Sequence, residues 1–162
     1  MMGRERLSVT SAMRHPMSLE WAEVRAIAQA SGREHDPLVR DRLTELWLQE
    51  RANRLFATRL SQELAQGSAK PQLGSALKVC EAAVLRAAAE TAVLIAGEDA
   101  VSWPADDPDS WPADDAGASR IAGAVLASPG FAIGGGTDDI QLNTLGEHVL
   151  GLPREPRVPP RP

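Results

Sequence analysis

Apolar side chains recur at helical spacing over a long stretch of the chain. Between residues 38 and 65 no glycine or proline interrupts the pattern, and most apolar positions follow one another by three or four residues. These positions are Val39, Leu43, Leu46, Trp47, Phe56, Leu60 and Leu64. The spacing predicts an amphipathic helix roughly 42 Å long, a length typical of helical bundles.

Boundary signals support this helix and predict a second long one. Asp36 comes directly before Pro37, a start signal because the carboxylate can accept hydrogen bonds from the first free N–H groups. After Gly67, an alanine-rich stretch predicts a helix over residues 71–96, since alanine is the best helix former. We expect Lys78 and Arg86 to mark its more hydrated face. The two long helices should pack antiparallel.

Two shorter helices are predicted at the ends of the chain. One covers residues 19–29, and the other covers residues 137–150 after a run of three glycines. Thr137 is a suitable N-cap, and acidic residues in the first turn of the second helix suit the helix dipole. All four predicted elements are helical, so the predicted fold class is all-α.

Residues 97–119 are predicted to form an acidic surface loop. The sequence SWPADD occurs there twice, at residues 102–107 and 110–115, and its prolines and aspartates are typical of exposed loops. Its tryptophans, Trp103 and Trp111, could alternatively anchor a partner. The tail over residues 154–162 is rich in proline, which predicts an extended or disordered segment.

Composition restricts the class of protein. The chain has 162 residues, 43% of them hydrophobic, and a net charge of -5, which suits one domain with its own core. The acidic balance argues against a nucleic-acid partner. No apolar stretch approaches the roughly 20 residues of a membrane span and the start lacks a leader-like apolar region, so we expect no membrane partner and a cytoplasmic location.

Cysteine and histidine residues suggest little chemistry. The one cysteine, Cys80, cannot form an intramolecular disulfide, and we expect it to be a small core residue rather than a nucleophile. The three histidines, His15, His35 and His148, lack the spacing of a metal-ligand set, so no metal site is predicted.

Three blocks of sequence resemble a known enzyme family. Residues 129–143 read PGFAIGGGTDDIQLN and residues 146–154 read GEHVLGLPR, and both closely resemble the C-terminal signature of acyl-CoA dehydrogenases. Residues 32–43 look like the start of the C-terminal helical domain in that family. The resemblance implies a four-helix bundle over residues 36–153, preceded by a helical segment at residues 1–35, and only the C-terminal part of a complete enzyme.

The resemblance also implies a reaction. Acyl-CoA dehydrogenases remove the α-proton of an acyl-CoA thioester with a carboxylate while a hydride passes from the β-carbon to FAD. In one branch of the family the base is a glutamate two residues before the threonine, where this chain has Gly135. In another branch the base precedes an arginine on an earlier helix. Glu5 precedes Arg6, so the resemblance implies Glu5 as the catalytic base. Taken alone, an isolated glutamate is more simply a solvated side chain.

The glycine run is the predicted binding element. Glycines followed by a helix start expose backbone N–H groups to an anionic ligand. The resemblance implies substrate contacts at Gly135 and Gly136 and FAD contacts at Thr137, Asp138 and Asp139. Two features depart from the family pattern. Leu142 occupies the position that is usually arginine, and residues 97–100 read GEDA where a glycine-rich flavin contact is common.

Two classes of function follow. In the first, the chain is part of an acyl-CoA dehydrogenase and another chain supplies the missing N-terminal helical and β-domains. In the second, it is a non-catalytic interaction subunit or an inactive remnant. We expect a homo-oligomer, or a hetero-oligomer with a full-length or complementary acyl-CoA dehydrogenase. An exposed apolar face around Leu43, Trp47 and Leu55 would indicate such a partner.

Overall fold

The computed structural model describes residues 17–101 and 118–154. These residues form five α-helices, a 3₁₀ turn over Gly97–Val101 and no strand, which confirms the all-α class. The helices are α1 (Trp21–Ala30), α2 (Pro37–Ala65), α3 (Leu73–Ala96), α4 (Ala118–Ile133) and α5 (Asp138–His148). Glu5, most of the acidic loop with both copies of SWPADD, and the proline-rich tail beyond residue 154 lie outside the described residues.

Helix α2 begins at the predicted cap, and α1 begins at a capping box that was not predicted. At α1, the Glu20 backbone N–H donates to Glu23 Oε2 at 2.9 Å as one half of a capping box. At α2, Asp36 Oδ1 accepts from the backbone N–H of Leu38 at 2.9 Å, and Pro37 occupies the first turn. The side chain of Asp36 therefore satisfies an N–H group that the helix itself leaves without an acceptor.

Helix α3 is the central element, because each of the other four helices packs against it. Its C-terminal half contributes small side chains to the core, where they meet apolar residues of α1 and α2. The buried residues there are Val24, Ala28, Val39, Leu43, Leu46, Ala88, Ala89, Ala92 and Ile95. Small side chains let helix axes approach closely, so the alanine-rich composition of α3 explains its central position.

Helix α4 was not predicted from the sequence. Pro129 lies inside it, and proline has no N–H to donate to the carbonyl four residues earlier. That carbonyl belongs to Val125, and Ser128 Oγ donates to it at 3.0 Å instead. Ile121 and Ala124 are buried, so packing against α3 stabilises a helical segment that contains a proline and two glycines.

The core prediction for Cys80 was wrong, since its side chain is exposed. Helical residues are about 100° apart around the axis. Cys80 therefore points roughly 200° away from Lys78, which faces α5. Among the described helices, none is both long enough and apolar enough to cross a bilayer.

Candidate functional site

The glycine turn between α4 and α5 is the most distinctive site in the described chain. Gly134 donates its N–H to the carbonyl of Gly130 at 2.8 Å, which ends α4. Gly135 and Gly136 then adopt φ values of +69° and +101°. L-residues with a side chain rarely adopt such angles, so the backbone path of the turn requires glycine at both positions.

Thr137 starts α5 immediately after these glycines. Its Oγ1 accepts from the backbone N–H of Ile140 at 3.3 Å, which confirms the predicted N-cap. The first turn of α5 carries Asp138 and Asp139, as the helix dipole favours. The turn and the start of α5 thus bring five predicted site residues together in consecutive positions.

Gln141 supports the turn from the inside. Its side chain is 1% exposed, and its Nε2 donates to the carbonyl of Gly135 at 2.8 Å and lies 3.5 Å from that of Gly136. A Cβ added at Gly136 would lie 2.6 Å from this Nε2, whereas one added at Gly135 would meet nothing within 4 Å. The turn is therefore packed tightly at Gly136 and open at Gly135.

Lys78 of α3 ties the turn to the centre of the bundle. Its Nζ donates to Asp138 Oδ1 at 2.6 Å and to the carbonyl of Ala132 at 3.0 Å. Only 14% of its side chain is exposed, so the prediction of a hydrated position was wrong for Lys78. Arg86 is half-exposed, with its Nη2 3.8 Å from Asp138 Oδ2. Two cations therefore face one carboxylate, and their attraction replaces the solvation that Lys78 has lost.

Glu81 lies one helical turn after Lys78 on α3. Burial raises the pKa of its carboxyl from 4.5 to about 6, because a partly desolvated carboxylate is less stable than the neutral acid. Within the described residues, no group of three side chains is arranged to hold a metal ion.

A separate concave surface lies between α1 and the first half of α2. It is an open groove of about 420 Å³ in which the Arg25 guanidinium lies 5.5 Å from the centre of the Trp21 ring. Its lining residues are Trp21, Arg25, Glu34, His35, Arg40, Leu43, Thr44 and Trp47. None of the predicted site residues that the structure describes, Gly135 to Asp139, lies in this groove.

Comparison with known proteins identifies the family. The profile described as "Acyl-CoA dehydrogenase, C-terminal domain" matches residues 1–150. The chain belongs to the acyl-CoA dehydrogenase family. No curated protein sequence matches it. The glycine turn is therefore the turn of an acyl-CoA dehydrogenase C-terminal domain.

Solved structures share the fold. The "Tcur3481-Tcur3483 steroid ACAD" matches with a TM-score of 0.69 at 21% identity, over 83% of this chain and 34% of that one. A variant of the same enzyme gives 0.73 at 21% identity, over 95% and 39%. The ChsE4-ChsE5 complex from Mycobacterium tuberculosis gives 0.65 at 20% identity, over 86% and 36%. The chain spans between 34% and 39% of the length of these structures.

The predicted site residues differ in their exposure. Gly135 is exposed, Gly136 and Thr137 are half-buried, and Asp139 is exposed. The carboxylate of Asp138, a predicted FAD contact, accepts a hydrogen bond from Lys78. Glu5 lies outside the described residues, so its role as the base stays a prediction.

Two residues that shape the turn were missed at the level of sequence. Gln141 belongs to the family signature, but no role was predicted for it. Lys78 was predicted only to lie on the hydrated face of its helix. A signal for Lys78 existed, since the chain has just two lysines among its 17 basic residues. Gln141 gave no such signal, because nothing in its local sequence distinguishes a buried glutamine from an exposed one.

Proposed function

We propose that the chain is the C-terminal helical part of a flavin-dependent acyl-CoA dehydrogenase, and that a second chain supplies the remaining domains. Its family membership over residues 1–150 supports the reaction class. Its span of about a third of the neighbouring structures supports the need for further domains. The neighbours carry names made of two components, which suggests the same kind of assembly for this chain.

An apolar surface beside the glycine turn is the observation that carries this proposal. Leu126 and Ile133 on α4 and Ile140 on α5 are 68%, 65% and 56% exposed. Large aliphatic side chains exposed on both sides of one turn are typical of a surface that another domain covers. A chain docked there would bury these residues and close the open side of the turn at Gly135.

A second exposed patch lies on α2. Trp47, Leu48 and Leu55 are exposed there, whereas Leu43 is buried in the core. The face proposed from the sequence is therefore divided, with Leu43 serving the core and the other residues available for contact. This patch supports a partner chain, because tryptophan and leucine side chains gain most when an interface removes them from water.

The glycine turn fits polar acceptor groups of a flavin or of a thioester. The chain has no cis peptide bonds in its described part, so each peptide N–H points opposite to the preceding carbonyl. Because the carbonyls of Gly135 and Gly136 face Gln141, the N–H groups of Gly136 and Thr137 face the other way. Among the described residues no acceptor is hydrogen-bonded to these two groups, which leaves them free to bind a ligand.

The residues of the glycine turn and Glu5 would each have a role in the reaction. When bound, FAD supplies a hydride acceptor for the β-carbon. The backbone N–H groups of Gly136 and Thr137 hold and orient polar oxygens, while Asp138 remains bonded to Lys78. A carboxylate oxygen of Glu5 accepts the proton from the α-carbon of the acyl group. The substrate class is an acyl-CoA, and the steroid names of two neighbours make a polycyclic acyl-CoA the first one to compare with a straight-chain fatty acyl-CoA.

The test compares the chain alone with a co-expressed complex. The second chain is an acyl-CoA dehydrogenase chain that carries the N-terminal helical and β-domains. We expect the flavin absorption band, and acyl-CoA oxidation with an artificial electron acceptor, in the complex and not in the chain alone. Glu5→Gln should abolish turnover and leave the flavin bound, whereas Glu90→Gln, at an exposed position on α3, should change neither. Full turnover in the Glu5 variant would remove that residue from the role of base.

The alternative is a non-catalytic interaction subunit. Leu142 is exposed in place of the usual arginine of the family, and the partial pairing of Asp138 with Lys78 and Arg86 also favours a structural role for that end of the turn. The same experiment separates the two functions. A stable complex that binds no flavin at this chain, and whose activity is unchanged by Glu5→Gln, would establish the interaction subunit.

A further inference from the structure

Gln141 occupies an unusual position for a polar residue. It is the one buried residue of α5, a helix that the structure describes completely. Its Nε2 is bonded to the glycine turn, but its Oε1 is also buried and has no hydrogen-bond partner. A buried acceptor without a donor is unfavourable. An apolar side chain of similar shape would avoid that penalty, so stability alone does not account for a glutamine here.

We propose that Gln141 is a positioning residue for the turn. Its side-chain amide draws the carbonyls of Gly135 and Gly136 inward, which fixes the next two N–H groups in the outward direction. Gly136 is required for the same arrangement, because a Cβ at this position would lie only 2.6 Å from Gln141 Nε2. This inference rests on the proposed function, in which the outward N–H groups contact the ligand.

The amide orientation follows from the contacts themselves. If the Gln141 amide were rotated by 180°, its Oε1 would face the carbonyl oxygen of Gly135, and two acceptors would repel each other at 2.8 Å. The donor must therefore face the turn. Only a side chain of this length that carries a donor at its end can hold these carbonyls from inside α5.

The first experiment measures order in the turn of the isolated chain by ¹⁵N relaxation. In the parent we expect backbone order parameters near 0.85 at Gly136 and Thr137, as in rigid structure, and values below about 0.6 in Gln141→Met. Met keeps the volume, and removal of the unpaired Oε1 offsets the lost hydrogen bond to Gly135, so the unfolding midpoint should change little. Gln62→Met, at an exposed position of α2, is the matched control and should leave the turn rigid. Unchanged order in Gln141→Met would overturn the proposal.

A second variant keeps the proposal testable if Gln141→Met does not fold. Glu at this position has the shape of glutamine, but it donates to the Gly135 carbonyl only when it is protonated. Burial would raise the pKa of the introduced carboxyl, so Gln141→Glu should have an ordered turn at acidic pH and a mobile one at neutral pH. A turn whose order does not change with pH in this variant would contradict the proposed role of the donor.

The complex provides an independent measurement. If the proposed function is correct, Gln141→Met should weaken flavin retention or lower kcat about tenfold, with KM for acyl-CoA less affected. If the parent complex neither binds flavin nor turns over, the proposed function fails. The relaxation measurement on the isolated chain still decides whether Gln141 positions the turn.

Discussion

The two ends of α3 are held to their neighbours by different forces. Toward its C-terminus, small apolar side chains pack against α1 and α2 in a closed core that includes Val24, Val39 and Leu46. Toward its N-terminus, α5 contributes no buried apolar side chain and is held to α3 by Lys78, while Gln141 holds the glycine turn that precedes α5. Apolar packing is non-directional, whereas hydrogen bonds fix the orientation of the groups that they join. The core end therefore supplies stability, and the turn end supplies defined geometry.

The largest effect is expected from a substitution in the apolar core beside the C-terminal half of α3. Leu46 is 1% exposed, so Leu46→Ala should lower the free energy of unfolding by about 2–5 kcal/mol through lost burial and a residual cavity. Urea unfolding monitored by circular dichroism measures it. Leu48→Ala, at an exposed position of the same helix, should change stability by less than about 0.5 kcal/mol. Similar losses in both variants would contradict the assigned core.

A smaller effect is expected from breaking the turn end. Lys78→Met leaves Asp138 and the Ala132 carbonyl without their donor, which should lower the free energy of unfolding by about 1–3 kcal/mol. Amide hydrogen exchange should become faster in α5 and stay unchanged in the core half of α3. Lys70→Met, at the exposed position of the other lysine, is the control. Uniformly faster exchange in both regions would show that the two ends are not separable.

A third prediction concerns how the stability of the fold depends on pH through Glu81, at the N-terminal half of α3. The folded-state pKa of Glu81 is raised from 4.5 to about 6, so the fold favours the neutral acid. The corresponding stability is present below the ordinary pKa and is lost as pH rises through about 6. Glu81→Gln should remove this slope and raise stability above pH 6 by about 1 kcal/mol, half of the bare conversion, since solvent screens a half-buried group. Denaturation series across this range would reject the assignment if both proteins lost stability equally.

The smallest effect is expected at the start of α2. The side-chain hydrogen bond from Arg33 and the backbone N–H of Leu38 lower the pKa of Asp36 below its usual 3.8. Stability from this carboxylate is therefore present above that value and is lost as pH falls through the lowered pKa. Asp36→Asn keeps an N-cap acceptor but removes the charge. Its stability should therefore be slightly lower at neutral pH and should show no further loss from this position at acid pH, as thermal unfolding across this range would measure. If the variant and the parent lost the same stability at acid pH, the charge of Asp36 would contribute nothing to stability.

The sequence predicted the apolar end better than the polar end, for a physical reason. Periodicity and the cap at Asp36 predicted α2 almost to the residue. The cap at Thr137 predicted the start of α5 equally well. No element was predicted over most of α4, and the bond from Ser128 that compensates for Pro129 depends on three-dimensional geometry. The contact of Lys78 with Asp138 joins residues 60 positions apart. A pattern that repeats locally cannot reveal such a contact.

The exposure of Cys80 has a practical consequence for studying the assembly. It is the single cysteine of the chain, and it points away from the face of α3 that carries Lys78. A thiol-reactive spin label or fluorophore would thus attach at one known position on the central helix without replacing any native residue. The unmodified sequence already contains the attachment point from which distances to a labelled second chain could be measured.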